Sequence, residues 1–149
     1  MPKSLQLPVF KTLIASTAYT TTTTSANFSL PYGDTLHIIL KTTAATGTSP
    51  TMDAVLQTSV DAGTTYVNLP IRSTQITAAG QNHWVFKMGL GGNEVALENP
   101  AADTGGTLAK NCIFDPRYLK VKFTIGGTNP SFTTVVYGAS TPAGSQRSS

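Results

Sequence analysis

The chain has 149 residues, of which 40% are apolar and 11% charged, and its net charge is +3. That length suits one domain, and that balance excludes an intrinsically disordered chain. One cysteine excludes an intrachain disulfide, and no apolar run approaches the roughly 20 residues of a membrane-spanning helix.

Residues 1–14 read as an N-terminal arm. Pro2 and Pro8 bracket a short alternating stretch in which Leu5, Leu7, Val9 and Phe10 are the apolar positions. The opening residues lack the long apolar core of a signal peptide, so synthesis in the cytoplasm is expected. Thr20 to Thr24 is a threonine run, polar and β-branched, that suits a solvated strand or loop. Asn27 to Leu30 reads as a strand stopped by Pro31, and Leu36 to Thr43 as a strong strand. Gly47-Thr48-Ser49-Pro50 reads as a connection into the next strand, Met52 to Thr58. Asp61-Ala62-Gly63 is a turn signal between that strand and Thr65 to Leu69.

Ile71 to Ile76 is a further candidate strand. Gln81 to Met88 alternates, with Trp84 and Phe86 on one face and His83, Val85 and Lys87 on the other. Residues 89–106 are rich in Gly, Asn, Asp and Pro and read as a long loop of the kind that is functional or docked on a neighbour. Arg117 to Ile125 and Phe132 to Tyr137 read as a closing hairpin around Gly127-Thr128-Asn129-Pro130. Residues 139–149 read as a small-residue tail.

Two of these connections are the same motif. Gly47-Thr48-Ser49-Pro50-Thr51-Met52 recurs as Gly127-Thr128-Asn129-Pro130-Ser131-Phe132, each copy between two β-prone runs. Gly tolerates positive φ, Ser or Asn bonds its own backbone, and Pro fixes φ and withholds a donor. Gly47, Pro50, Gly127 and Pro130 are therefore expected to shape two sister hairpin turns, with Asp61 and Gly63 shaping a third. No stretch carries a sustained helical period. Strand-like runs with turn residues between them predict an all-β fold. The expected form is an antiparallel β-sandwich, jelly-roll-like, over 15–138, flanked by an ordered arm and tail.

The chemistry-bearing residues do not converge in sequence. Ser59-Val60-Asp61-Ala62-Gly63-Thr64-Thr65-Tyr66 resembles the Asp-box of sialidases, with Tyr where Trp is usual. In that family the box is a hairpin device, which implies a structural Asp61 and no acid catalysis. Nothing marks a carboxylate pair of the kind glycosidases use among Asp34, Asp53, Asp61, Asp103, Asp115, Glu94 and Glu98. His37 and His83 stand far apart within apolar patterns, so ordinary strand roles are expected and no metal site is. Cys112 reads as a small core residue. Gly89 to Asn93 lacks the Lys-Ser/Thr ending of a phosphate loop. Tyr66, Trp84 and Tyr137 are the candidates for an aromatic ligand platform.

Basic residues are scattered except for Arg117, Lys120 and Lys122. Strand alternation puts Lys120 and Lys122 on one solvated face, so no nucleic-acid partner is expected. Low charge suits a surface partly covered by another protein.

Residues 46–59, Asp61 to Tyr66, Ile76 to Gly80 and Tyr118 to Phe132 together resemble a recurrent type of small tailed-phage structural protein. The resemblance covers roughly residues 36–137 and carries over no functional residue, because the shared motifs are turns and strands. It implies a capsid decoration (cement) protein that binds the major capsid protein on the outer surface of the virion head, most often as a homotrimer. Leu5, Leu7, Val9 and Phe10 are then the candidate assembly arm. The reading contains no catalysis, no cofactor and no membrane. A tail or neck component is the first alternative. A carbohydrate-binding module anchored on Trp84 is the alternative of another class.

Overall fold

The structure is a computed structural model that describes residues 10–30, 35–87, 94–95, 109–110 and 115–141. The described residues contain strands and no helix. The strands are β1 (Lys11–Tyr19), β2 (Thr23–Thr24), β3 (Thr35–Ser59), β4 (Tyr66–Arg72), β5 (Gly80–Lys87), β6 (Glu94–Val95), β7 (Ala109–Lys110) and β8 (Leu119–Thr141). All pairings are antiparallel. β6 and β7 form a small separate ribbon, and the other six strands form one hydrogen-bonded sheet. The arm and tail boundaries shift outward, toward the termini. Residues 11–14, expected in the arm, belong to β1, and β8 continues to Thr141.

Two strands dominate. β3 has 25 residues and β8 has 23, and they pair with each other along almost their whole length. The sequence dictates this through alternation. Leu36, Ile38 and Leu40, then Met52, Ala54 and Leu56, are fully buried, while their neighbours point outward. β8 answers with Leu119, Val121 and Phe123, then Phe132 and Val136.

The sister Gly-Thr-x-Pro segments are not hairpin turns. They lie inside β3 and β8, opposite each other, with Thr46 paired to Ser131, Thr48 to Thr128 and Thr51 to Gly126. Their backbones match. Gly47 has φ +115° and Ser49 +50°; Gly127 has +106° and Asn129 +49°. The pairing register slips on both sides of Thr48, as at a β-bulge. The contact is reciprocal. A Cβ on Gly47 would lie 2.6 Å from Asn129 O and 2.9 Å from Pro130 Cα, and one on Gly127 would lie 2.7 Å from Ser49 O and 3.0 Å from Pro50 Cα. The residues that close a hairpin also make a bulge. Two such bulges facing each other keep the strands paired while bending both.

The bend folds the sheet over on itself. Before the bend, residues 35–42 of β3 pair with β5, and residues 132–138 of β8 pair with β1. Beyond the bend, residues 55–59 of β3 pair with β4, and residues 122–123 of β8 pair with β2. A straight β8 of 23 residues would span roughly 75 Å. Yet Leu30 donates its backbone N–H to Pro116 O at 2.8 Å, just before one end of β8, and its Cδ2 lies 2.8 Å from where Gly138 would carry a Cβ, near the other end. Tyr19, at the end of β1, stacks on Phe123 of the opposite half with ring centroids 4.4 Å apart. The halves therefore face each other across one apolar core that includes Trp84, Phe123, Phe132 and the buried side chains of β3. Strands that pass between packed sheets through bulges are a known way to make such corners.

The remaining expectations divide. The Thr65–Leu69 and Ile71–Ile76 runs are one edge strand, β4, with Pro70 inside it, followed by a bridge from Ile76 to Met52. The threonine run contributes β2 and the link from β1, where Thr22 Oγ1 accepts the Ile125 N–H at 3.0 Å.

Candidate functional site

Folding the sheet over creates two outer faces, and the register assigns their residues. On the first face, β3 supplies His37, Ile39 and Lys41, and β8 supplies Ala139, Tyr137 and Val135 opposite them. β5 sets Val85 opposite His37 and His83 opposite Ile39. His37 and His83 are thus diagonal neighbours on adjacent strands. Their rings meet with His37 Nδ1 3.2 Å from His83 Nε2, and the ring centroids are 5.4 Å apart. Phe10, immediately before β1, stands edge-on to His37 at 6.1 Å and is 45% exposed. Burial, and secondarily the neighbouring His83, lower the proton affinity of His37 below the ordinary histidine value. Ala139 and Val135 are buried on this face although they lie outside the shared core.

The second face is polar and basic. Lys120 and Lys122 of β8 lie opposite Gln57 and Val55 of β3. β4 sets Asn68 opposite Gln57 and Arg72 opposite Val55. Gln57 Nε2 donates to Asn68 Oδ1 at 2.7 Å. Lys120 Nζ sits 4.1 Å from the centroid of the Tyr66 ring, whose hydroxyl donates to Asn27 Oδ1 at 2.6 Å. Lys120 and Lys122 do share a face, with Leu119, Val121 and Phe123 buried behind it, as alternation predicts. At its margin Arg117 donates to both carboxylate oxygens of Asp115, at 3.0 and 2.8 Å. That contact holds the Asp115 carboxyl below the usual carboxylate range and raises Arg117.

Asp61 sits in the turn between β3 and β4, as the motif predicts. One carboxylate oxygen accepts the Thr65 N–H at 2.5 Å, the Thr64 N–H at 3.1 Å and the Ser59 hydroxyl at 3.1 Å. Ser59 Oγ accepts the Gly63 N–H at 2.7 Å, and Gly63 has φ +100°. These bonds, that from the Thr65 backbone first, hold the Asp61 carboxyl below its ordinary value. An aspartate committed to its own turn stays ionised and is not a proton donor.

Trp84 does not form a ligand platform. It lies opposite Ile38 on the inner face and is fully buried, so no sugar or base reaches it. Its Nε1 has no hydrogen-bond partner among the described residues. Tyr66 and Tyr137 lie on different outer faces and do not line up. The arm residues Leu5, Leu7 and Val9, and also Cys112, Asp34, Glu98, Asp103 and the Gly89–Asn93 segment, lie outside the described residues; only Phe10 of the arm is placed.

The histidine contact is what sequence reasoning missed. Each histidine alternates correctly onto an outward position, but only the pairing of β3 with β5 brings them together. No group of three or more His, Cys, Asp or Glu stands close enough to hold a metal ion among the described residues. No helix among them is long and apolar enough to cross a membrane. No known protein family, curated protein or solved structure matches the chain.

Proposed function

We propose that the chain is a structural subunit of a tailed-phage virion, a capsid decoration protein that grips the assembled head, and that its fold is a jelly roll. The observation that carries this reading is the nested pairing. β1 pairs with the last run of β8, β2 with its first run, the first run of β3 with β5 and the second with β4. First-with-last nesting of eight runs in two facing sheets is the jelly-roll pattern, common in viral capsid and lectin domains. The first outer face supports the virion use. Its apolar residues lie beside edge strand β1, and Phe10 is the point at which the arm joins that edge. An edge strand with an apolar arm offers backbone pairing and side-chain anchors to a neighbouring subunit.

Such a protein acts by binding the assembled shell in preference to its free subunits, so occupancy stabilises the shell by mass action. A homotrimer touching several capsomers gains effective concentration at its second and third contacts. The role needs no catalysis and no cofactor.

The test is co-sedimentation of the purified chain with expanded empty heads of the phage whose genome encodes it, alongside a variant lacking residues 1–9. The full chain is expected to sediment with heads and the truncated one to stay in solution while folded. Failure of the full chain to bind heads overturns the reading, and binding to isolated tails instead moves the protein to that station.

A further inference from the structure

We propose that His37 and His83 form a two-histidine site for a divalent transition-metal ion on the first outer face. The site does not depend on the virion reading. Two observations converge on it. The two ring nitrogens that face each other are 3.2 Å apart. Two imidazole nitrogens bound to one zinc ion at about 2.0–2.1 Å lie about 3.3–3.4 Å apart at a tetrahedral angle and about 2.8–3.0 Å apart at a right angle. The observed separation falls between these, so an ion can bridge them once each ring turns by roughly 35°, from the hydrogen-bond line to a lone pair aimed at a tetrahedral ion.

The strands that carry the rings are also held in place. His37 belongs to β3 and His83 to β5, which pair without a register slip from Thr35–Lys87 to Thr42–Gly80. The edge of Phe10 flanks the His37 ring. Rigid neighbouring strands present both donors at once, so the second nitrogen binds with the high effective concentration of an intramolecular ligand.

Without metal, one imidazole donates an N–H to the other. On binding, each neutral ring keeps its one proton on the nitrogen remote from the ion, so the exchange moves a proton within a ring and releases none. Imidazole donors suit Zn2+, Ni2+ and Cu2+, in the usual order of rising affinity toward Cu2+.

The experiment titrates the full chain with Zn2+ by calorimetry and with Cu2+ by electron paramagnetic resonance. The variants are His37→Ala, His37→Gln, His83→Ala and Cys112→Ser, and circular dichroism reports whether each keeps its fold. Expected are one ion per chain and a Cu2+ spectrum showing two equatorial nitrogens. Each histidine substitution should weaken Zn2+ about tenfold or more and reduce the nitrogen count to one, because chelation is lost. Cys112→Ser should change neither. Equal binding by the parent chain and His37→Gln, a loss confined to Cys112→Ser, or no two-nitrogen signal at millimolar Cu2+ would overturn the proposal.

Discussion

The bend in the β3–β8 ribbon and the Ser59–Thr65 turn are written in the same chemistry and do different things. Both use a glycine at positive φ and a second non-glycine residue at positive φ: Ser49 and Asn129 in the bend, Ala62 in the turn. In the turn, local side chains hold the backbone, because Asp61 and Ser59 accept its N–H groups. In the bend, the opposite strand holds it, because each glycine packs against the other copy's backbone. Local residues thus specify the backbone shape. Whether that shape closes a hairpin or bends a continuous strand depends on what lies across from it.

That contrast can be broken from either side. The largest effects are expected at the bend and in the core stack behind it. Gly47→Ala or Gly127→Ala forces an alanine into positive φ and into backbone atoms less than 3 Å away, at a cost of about 2–3 kcal/mol. Chemical denaturation should show both losses. The double variant should fall short of their sum if the two glycines share one contact. Truncating the stack behind the bend, Phe123→Ala, should cost about 3–5 kcal/mol if the two halves share one core, and much less if they do not.

The turn should answer to pH where the bend does not. The folded-state pKa of Asp61 is depressed below its ordinary value of 3.8. Its contribution is therefore present above that value and is lost as pH falls through the lower, folded value. Asp61→Ala should lower the melting temperature at pH 7, and the difference from the parent chain should shrink below about pH 4. The glycine variants should keep their deficit across that range. Smallest of all, Lys120→Ala removes a half-buried cation from the Tyr66 ring and should cost about 0.5–1 kcal/mol in thermal unfolding.

Much of the fold was legible because strand alternation is local. It gave the outward Lys120 and Lys122 with Leu119, Val121 and Phe123 on the other face, and the all-β class. The Asp61 turn was legible because its donors and acceptors all lie between Ser59 and Thr65. The bend was not, since Thr48 meets Thr128 only through the register of two distant strands. The histidine pair was hidden for the same reason. His37 and His83 look unrelated until β5 is laid beside β3. Trp84 was correctly placed opposite in facing to its histidine neighbour. Only the packing of the second half over it shows that its face is the core.

The central claim is that the sister motifs face each other across one folded ribbon. The direct test is a Thr48→Cys/Thr128→Cys variant on a Cys112→Ser background, oxidised gently and sized under non-reducing conditions. These residues are strand partners, so a monomeric chain with an internal disulfide is expected. Free thiols in the monomer, or bridges only between chains, would contradict it and restore two separate hairpins.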